Sequence, residues 1–211
     1  MSLNYQTFVL GPIENNTYLL WDEETRLAVV IDPSFDPAPL VEAMESKNLT
    51  LTGIWLTHAH FDHTAGIPDL EAATKVHVPV WLQQDDLQLY KTGGGASFFD
   101  FTMPELPNPA GFFEDGQVLR IGTGRIAVRT TPGHCQGHVI FYAAEISTAF
   151  TGDLIFRQGV GRTDLPGSNH KNLLKSINLQ VLTLPAETVL LSGHGEATTV
   201  QEEIDFNPYL N

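Results

Sequence analysis

Residues 57–63 read THAHFDH, three histidines and an aspartate within seven positions. They follow Gly53-Ile54-Trp55-Leu56, an apolar run that reads as a short buried strand. A chain with 8 histidines in 211 residues has thus gathered three of them at one strand end. Backbone leaving a strand is still extended, so side chains at i and i+2 point to the same side. His58 and His60 can therefore grip one ion. Asp62 continues the alternation, and His63 can swing beside it if the chain turns. A single buried histidine is usually a hydrogen-bonded core residue, and His77, between Val76 and Val78, reads as one. Three imidazoles and a carboxylate buried without a ligand would leave too many polar groups unpaired, and a metal removes that conflict.

The placement recurs. PGHCQGH (132–138) follows the strand ending at Thr131, Gly152-Asp153 follows TAFT (148–151), and Gly193-His194-Gly195 follows TVLLS (188–192). Ligands in α/β folds gather at the carboxyl ends of strands. The candidate metal ligands are therefore His58, His60, Asp62, His63, His134, Asp153 and His194. This set suits two divalent ions that share one carboxylate. Oxygen and imidazole donors without thiolate fit Zn first, with Fe or Mn as alternatives. Two ions ~3.5–4 Å apart would clamp a hydroxide between them and polarise a carbonyl, the two-metal hydrolytic arrangement.

The rest of the chain bounds this reading. Hydrophobic residues make up 42% and charged residues 17%, an ordinary globular balance. No apolar run approaches the ~20 residues that cross a bilayer, and MSLNYQTFVLG lacks the basic start of a signal peptide. Cys135, the one cysteine, rules out an internal disulfide and fits a reducing compartment, so a cytoplasmic location is expected. The formal net charge of −14 repels phosphate backbones, so neither nucleic acid nor membrane is an expected partner. Residues 154–180 depart from this, with Arg157, Arg162, Lys171 and Lys175 against Asp164 alone. That stretch is either a solvated basic face or an anion-binding edge.

Strands are predicted at 5–10, 17–21, 27–31, 54–56, 78–82, 118–121, 125–131, 138–142, 148–151 and 188–191. The second and third form a hairpin across the turn DEET. Helices are predicted from Pro37 and Pro39 to about Lys47, over 65–74 and over 171–182. Residues 91–111, KTGGGASFFDFTMPELPNPAG, form a long irregular stretch whose Phe98, Phe99 and Phe101 argue for a lid packed over something. No repeat or linker divides the chain, so one α/β domain over 1–211 is expected.

THAHFDH with PGH, GD and GHG, in this order, resembles the metallo-β-lactamase fold. TPGHCQGHVIFY, GDLIFRQGVGRTDLPGS and GHGEATTVQEEIDFNPYL resemble in particular its glyoxalase II branch, the hydroxyacylglutathione hydrolases. The resemblance implies a four-layer αββα sandwich of two mixed sheets flanked by helices. It also implies one metal on His58, His60 and His134, a second on Asp62, His63 and His194, and Asp153 bridging them. The chain departs from the branch in having Ser192 before GHG where proline is usual, and Ser34 after Asp32-Pro33 where glycine is usual. It also runs only to Asn211, without the helical extension that supplies glutathione-binding residues in two-domain members.

A thioester suits such a site, because a thiol of pKa ~8.5 leaves readily as thiolate, whereas an amide nitrogen needs a proton. Asp62 and His138 are the only acids in sight of the motifs, which favours thioester or lactone hydrolysis over lactam or peptide cleavage. The expected partner is a small anionic thioester and the expected assembly a monomer or homodimer. Gly161 and Arg162, in GVGR, are the candidate substrate-binding residues: glycine lets backbone approach a ligand, and arginine grips a carboxylate with a forked pair of bonds. His138 either orients His134 or another ligand, or only opens a strand. Cys135 reads as a small packed residue. A second reaction class also resembles this fold and its GRTD stretch (161–164), a glutathione persulfide dioxygenase with a single Fe(II) on His58, His134 and Asp153.

Overall fold

The computed structural model describes residues 2–75 and 77–210. One six-stranded sheet orders β1 (Leu3–Leu10), β2 (Asn15–Asp22), β3 (Leu27–Ile31), β4 (Thr50–Trp55), β5 (Val80–Gln83) and β6 (Gly111–Phe113) as they occur in the chain. Its first three strands are antiparallel, and β3 to β6 run parallel. The other six-stranded sheet runs β14 (Thr198–Thr199), β13 (Val189–Ser192), β10 (Thr148–Gly152), β9 (Val139–Ala143), β8 (Gly124–Thr130) and β7 (Val118–Ile121). There β10 and β13 are parallel and their neighbours antiparallel. A separate hairpin pairs β11 (Ile155–Phe156) with β12 (Gly159–Val160).

The two-residue period of a strand sorts side chains between two cores. Along β2 and β3, Leu19, Trp21, Ala28 and Val30 face one way, toward helices α1 (Ala38–Ser46), α2 (Ile67–Thr74) and α3 (Leu87–Lys91). Tyr18, Leu20, Val29 and Ile31 face the other way and meet Ile126, Val128, Phe141 and Phe150 of the second sheet. That sheet's outer face, with Ile140, Ala149 and Leu190, is covered by Leu173 of α4 (His170–Ser176) and Val200 of α5 (Val200–Phe206). The result is the expected αββα sandwich of two mixed sheets. Strands buried on both faces read as continuous apolar runs, which is why β2 and β3 stand out in the sequence. Among the described residues no helix is long and apolar enough to cross a membrane.

Three local readings are corrected. The helix expected over 171–182 is α4 followed by a wider π-helical turn at Ile177–Val181. His77 is no core residue: its side chain is 74% exposed and pairs with Glu71 at 2.8 Å. The alternation does carry a direction, but His77 falls on its outward phase, while Val78, Val80 and Leu82 point into the core. Helices α3 and α5 and the short β6, β11, β12 and β14 were not expected. For α5 the signal was present, since Thr199 and Glu202 make a reciprocal capping box at its start.

The two sheets are pinned at one end by Asp22, which is fully buried. Its Oδ1 accepts from the backbone of Glu24 and Thr25 and from the Thr25 hydroxyl at 2.7–3.0 Å. Its Oδ2 accepts from the Thr123 amide and hydroxyl, in the turn between β7 and β8, at 3.1 and 2.7 Å. Burial alone would raise this carboxyl, but the bonds from Thr123 and Thr25 outweigh it and hold the group well below the usual carboxylate range. A depressed folded-state pKa adds stability above the unfolded value of ~3.9 that is lost as pH falls. Asp22→Ala should therefore cost about 2–4 kcal/mol at neutral pH, because it removes a buried acceptor shared by five part-buried donors that tie two turns together. Urea unfolding should show that difference shrinking as pH drops below about 4. A constant difference between pH 7 and pH 3 would contradict the charged role of Asp22.

Candidate metal centre

Five strand ends build the site. β3 ends at Asp32, β4 leads into residues 57–63, β8 into 131–138, β10 into Asp153 and β13 into 193–195. Parallel neighbours (β3 with β4, β10 with β13) put these ends on one edge of the sandwich.

Two groups of donors converge there. In one, His58, His60 and His134 present ligand atoms within 4.8 Å of one another, and all three are buried. His134 Nε2 and His60 Nδ1 lie 2.8 Å apart. His58 Nε2 is buried with no hydrogen-bond partner. Burial, with the neighbouring imidazoles, pushes His58 far down and His60 to about 3, so both rings are neutral and offer lone pairs. In the other group, Asp62, His63 and His194 again lie within 4.8 Å. His194 Nε2 approaches Asp62 Oδ2 at 3.1 Å and His63 Nε2 approaches the same oxygen at 3.6 Å. Asp153 stands between the groups, with Oδ1 3.4 Å from His63 Nε2 and Oδ2 3.7 Å from His134 Nε2.

These residues fit metal ions. Neutral imidazoles converging on a common point, with one orphaned nitrogen, form a set that a divalent cation would satisfy. In the second group burial would lower His63, but Asp62, Asp153 and Asp32 together raise it well above its ordinary value. Burial would raise Asp153, yet His63 and His134 hold it far below the carboxylate range. The acids thus call for positive charge. One neighbour competes for it, as Asn15 Nδ2 lies 3.0 Å from His63 Nε2.

Several supports escaped the sequence reading. Asp32 Oδ1 accepts from the Thr57 amide at 2.7 Å, and Oδ2 accepts from the Thr57 hydroxyl at 2.6 Å and from His63 Nδ1 at 2.9 Å. The Thr57 hydroxyl in turn lies 3.0 Å from His58 Nδ1. One carboxylate therefore sets the tautomer of a histidine in each group, leaving both Nε2 atoms to face inward. His134 Nδ1 donates to the Arg162 carbonyl at 3.0 Å, and His194 Nδ1 to the Ile13 carbonyl at 3.2 Å. Asp86, equally unexpected, joins two of the loops. It accepts from the Ala59 amide at 3.0 Å, the Gly137 amide at 2.6 Å and the Cys135 thiol at 3.0 Å. Burial, with Asp86 beside it, pushes the Cys135 thiol well above its ordinary value, in keeping with a packed residue and not a nucleophile.

The other sequence candidates take different places. His138 makes no hydrogen bond to His134: its Nδ1 bonds the Thr131 hydroxyl at 2.8 Å, while its ring meets His134 edge-on at 6.2 Å and stacks on His58 at 5.2 Å. Gly161 does not line the cleft. It is buried against the backbone of Asp153, where an added Cβ would stand 1.9 Å from the Asp153 carbonyl. Arg162 does reach the cleft, but its fork is held by Asp164, at 2.7 Å from Nε and 2.8 Å from the terminal nitrogen. Its guanidinium lies over Phe99. The 91–111 stretch packs over the ligand turn as expected of a lid: Phe61 meets Phe99 and Phe101, and the Gly94 carbonyl accepts from the Phe61 amide at 3.0 Å.

The chain belongs to the metallo-beta-lactamase superfamily, whose family model matches residues 10–194. It is 30% identical to the hydroxyacylglutathione hydrolase GloC of Haemophilus influenzae, over 99% of each chain. Among solved structures it resembles the BLEG-1 B3 metallo-beta-lactamase, with 34% identity and a TM-score of 0.91 over 99% of this chain and 100% of that one. It also resembles TTHA1623 in a di-iron-bound form, with 38% identity and a TM-score of 0.87 over 97% and 100%. Fold and donor clusters together define a metallo-hydrolase of this superfamily.

Proposed function

We propose that this chain is a binuclear metal-dependent thioester hydrolase that cleaves substrates of the S-2-hydroxyacylglutathione kind. The observation that carries this is the position of Asp153, within 4 Å of donors from both groups. Two divalent cations, Zn or alternatively Fe or Mn, would supply a nucleophilic hydroxide at neutral pH and polarise the carbonyl. His58, His60 and His134 would hold one, Asp62, His63 and His194 the other, with Asp153 shared. The likeness to GloC supports the substrate class, and the di-iron form of TTHA1623 supports a two-metal site.

The chain's own groups favour a leaving group that needs no proton. Burial would raise Asp62, but His63 and His194 hold it below its ordinary value, so it accepts and does not donate. Imidazoles engaged as ligands have no proton to give from the facing nitrogen. Water adds across the C–S bond, its oxygen to the carbonyl carbon and its proton to sulfur, releasing a carboxylic acid and a thiol. A lactam nitrogen leaves only with a proton, which makes the thioester the easier bond for this donor set. The single-iron persulfide dioxygenase would use His58, His134 and Asp153 and leave Asp62, His63 and His194 without a task.

Thioester cleavage should proceed under strict anaerobiosis with about two metals per chain. Oxygen uptake driven by glutathione persulfide, with one iron per chain, would transfer the assignment to the dioxygenase.

A further inference from the structure

Above the donor groups lies a cleft of about 400 Å³. Its floor is the metal centre, and its walls are Ile13, Phe61, Phe99, Phe156, Val160 and Leu165. A volume of this order encloses a small ligand. Arg162 is the only lysine or arginine among the lining residues, and Asp164 accepts from its Nε and one terminal nitrogen, so its charge is already paired. With Phe99 beneath the guanidinium, the lip of the cleft is an exposed ion pair on an aromatic ring, its positive charge offset by Asp164.

We infer that, within the thioester reading on which this rests, the cleft selects substrates by an apolar, uncharged acyl group, and that Asp164 enforces the choice by occupying Arg162. The reacting carbonyl must sit on the floor, so whatever is bonded to it lies between the apolar walls. Glutathione carries two carboxylates and an ammonium, and the one arginine of the lining already holds a carboxylate. A carboxylate taken into such walls unpaired loses its hydration without return. The charged ends of the thiol half therefore extend past the lip to solvent, and the walls are left to the acyl half. This replaces the expectation that Arg162 clamps a substrate carboxylate. An exposed ion pair is weak, so the discrimination is graded: a carboxylate can compete with Asp164, at a disadvantage.

The test holds the thiol constant and varies the acyl group on the metal-loaded protein. Glutathione thioesters of acetate, lactate, mandelate and succinate are compared by kcat/KM. Mandeloyl should exceed lactoyl by at least about tenfold, since a phenyl ring fills apolar space that a methyl leaves open. Succinyl should fall below acetyl, and Asp164→Asn should raise succinyl relative to acetyl by about three- to tenfold as Arg162 is released. Calorimetry adds a readout without chemistry, in which S-benzylglutathione should bind more tightly than S-carboxymethylglutathione. Succinyl equal to or better than mandeloyl, or an Asp164→Asn variant with an unchanged succinyl-to-acetyl ratio, would overturn the inference and leave thioester hydrolysis standing. No turnover of any thioester would overturn the thioester reading instead, and the two thioethers would still report the preference of the cleft.

Discussion

Asp153→Ala should lose both metals and depress hydrolysis on the order of 10³-fold or more, beyond the 10²–10³ typical of removing one oxyanion donor. Its Oδ1 faces His63 and its Oδ2 lies between His134, at 3.7 Å, and His194, at 3.8 Å, so its removal weakens both positions at once. His134→Ala makes the contrast. It removes one of three donors from the first group and leaves Asp62, His63 and His194 untouched, so the metal count should fall from about two toward one. Asp153→Ala should still fold. Its Oδ1 makes no hydrogen bond, and Asp32 stays bonded to His63 Nδ1 when Asp153 is gone. Elemental analysis after dialysis, with urea unfolding on the same samples, separates loss of metal from loss of structure. An Asp153→Ala protein that keeps two metals, or a metal-stripped wild type with an undiminished rate, would refute the shared-carboxylate site.

What was legible in the sequence followed from how local each signal is. THAHFDH announces itself because extended backbone places i and i+2 together, so the donors of one turn meet without help from the fold. The strand ends at Asp153 and His194 were legible for a related reason: apolar runs buried on both faces are easily bounded, and a histidine or aspartate at such a boundary stands out. Asp32 and Asp86 had no such mark. Asp32 reads as a strand terminator before Pro33, and its work lies 25 and 31 positions away at Thr57 and His63. Gly161 and Arg162 read as substrate contacts, whereas in the structure Gly161 packs on the Asp153 backbone and Arg162 pairs with Asp164. A glycine that admits a ligand and one that admits the Asp153 backbone look alike in sequence, and a forked arginine does not reveal that Asp164, two residues on, will fill it. The short β6, β11, β12 and β14 are two or three residues long, too brief for any period to show.

Asp86→Ala should loosen the first donor group specifically. Ala59 lies between His58 and His60, while Cys135 and Gly137 sit just after His134 in its loop, so one buried carboxylate ties together the two segments that must converge. Removing it strands two buried amides, each worth about 1–3 kcal/mol when unsatisfied, and a total loss of about 2–5 kcal/mol in stability is expected. The ligands themselves remain, so the loss of metal should be partial. Groups that orient ligands commonly change affinity by about 10- to 100-fold, and that factor should fall on the His58, His60 and His134 position. The second group is oriented by Asp32 and the Ile13 carbonyl, neither of which touches Asp86, and should keep its affinity. Asp86→Asn is the sharper probe. Its oxygen can serve one side, but its amide would turn a donor toward either Gly137 or the Ala59 and Cys135 pair, so it should fall between wild type and Asp86→Ala. Competition with a chelator, followed by metal counting, reads the two positions as a tight and a weakened class. Two equally weakened classes would show that Asp86 supports the whole edge of the sandwich, and an unchanged pair would show that the loops converge without it.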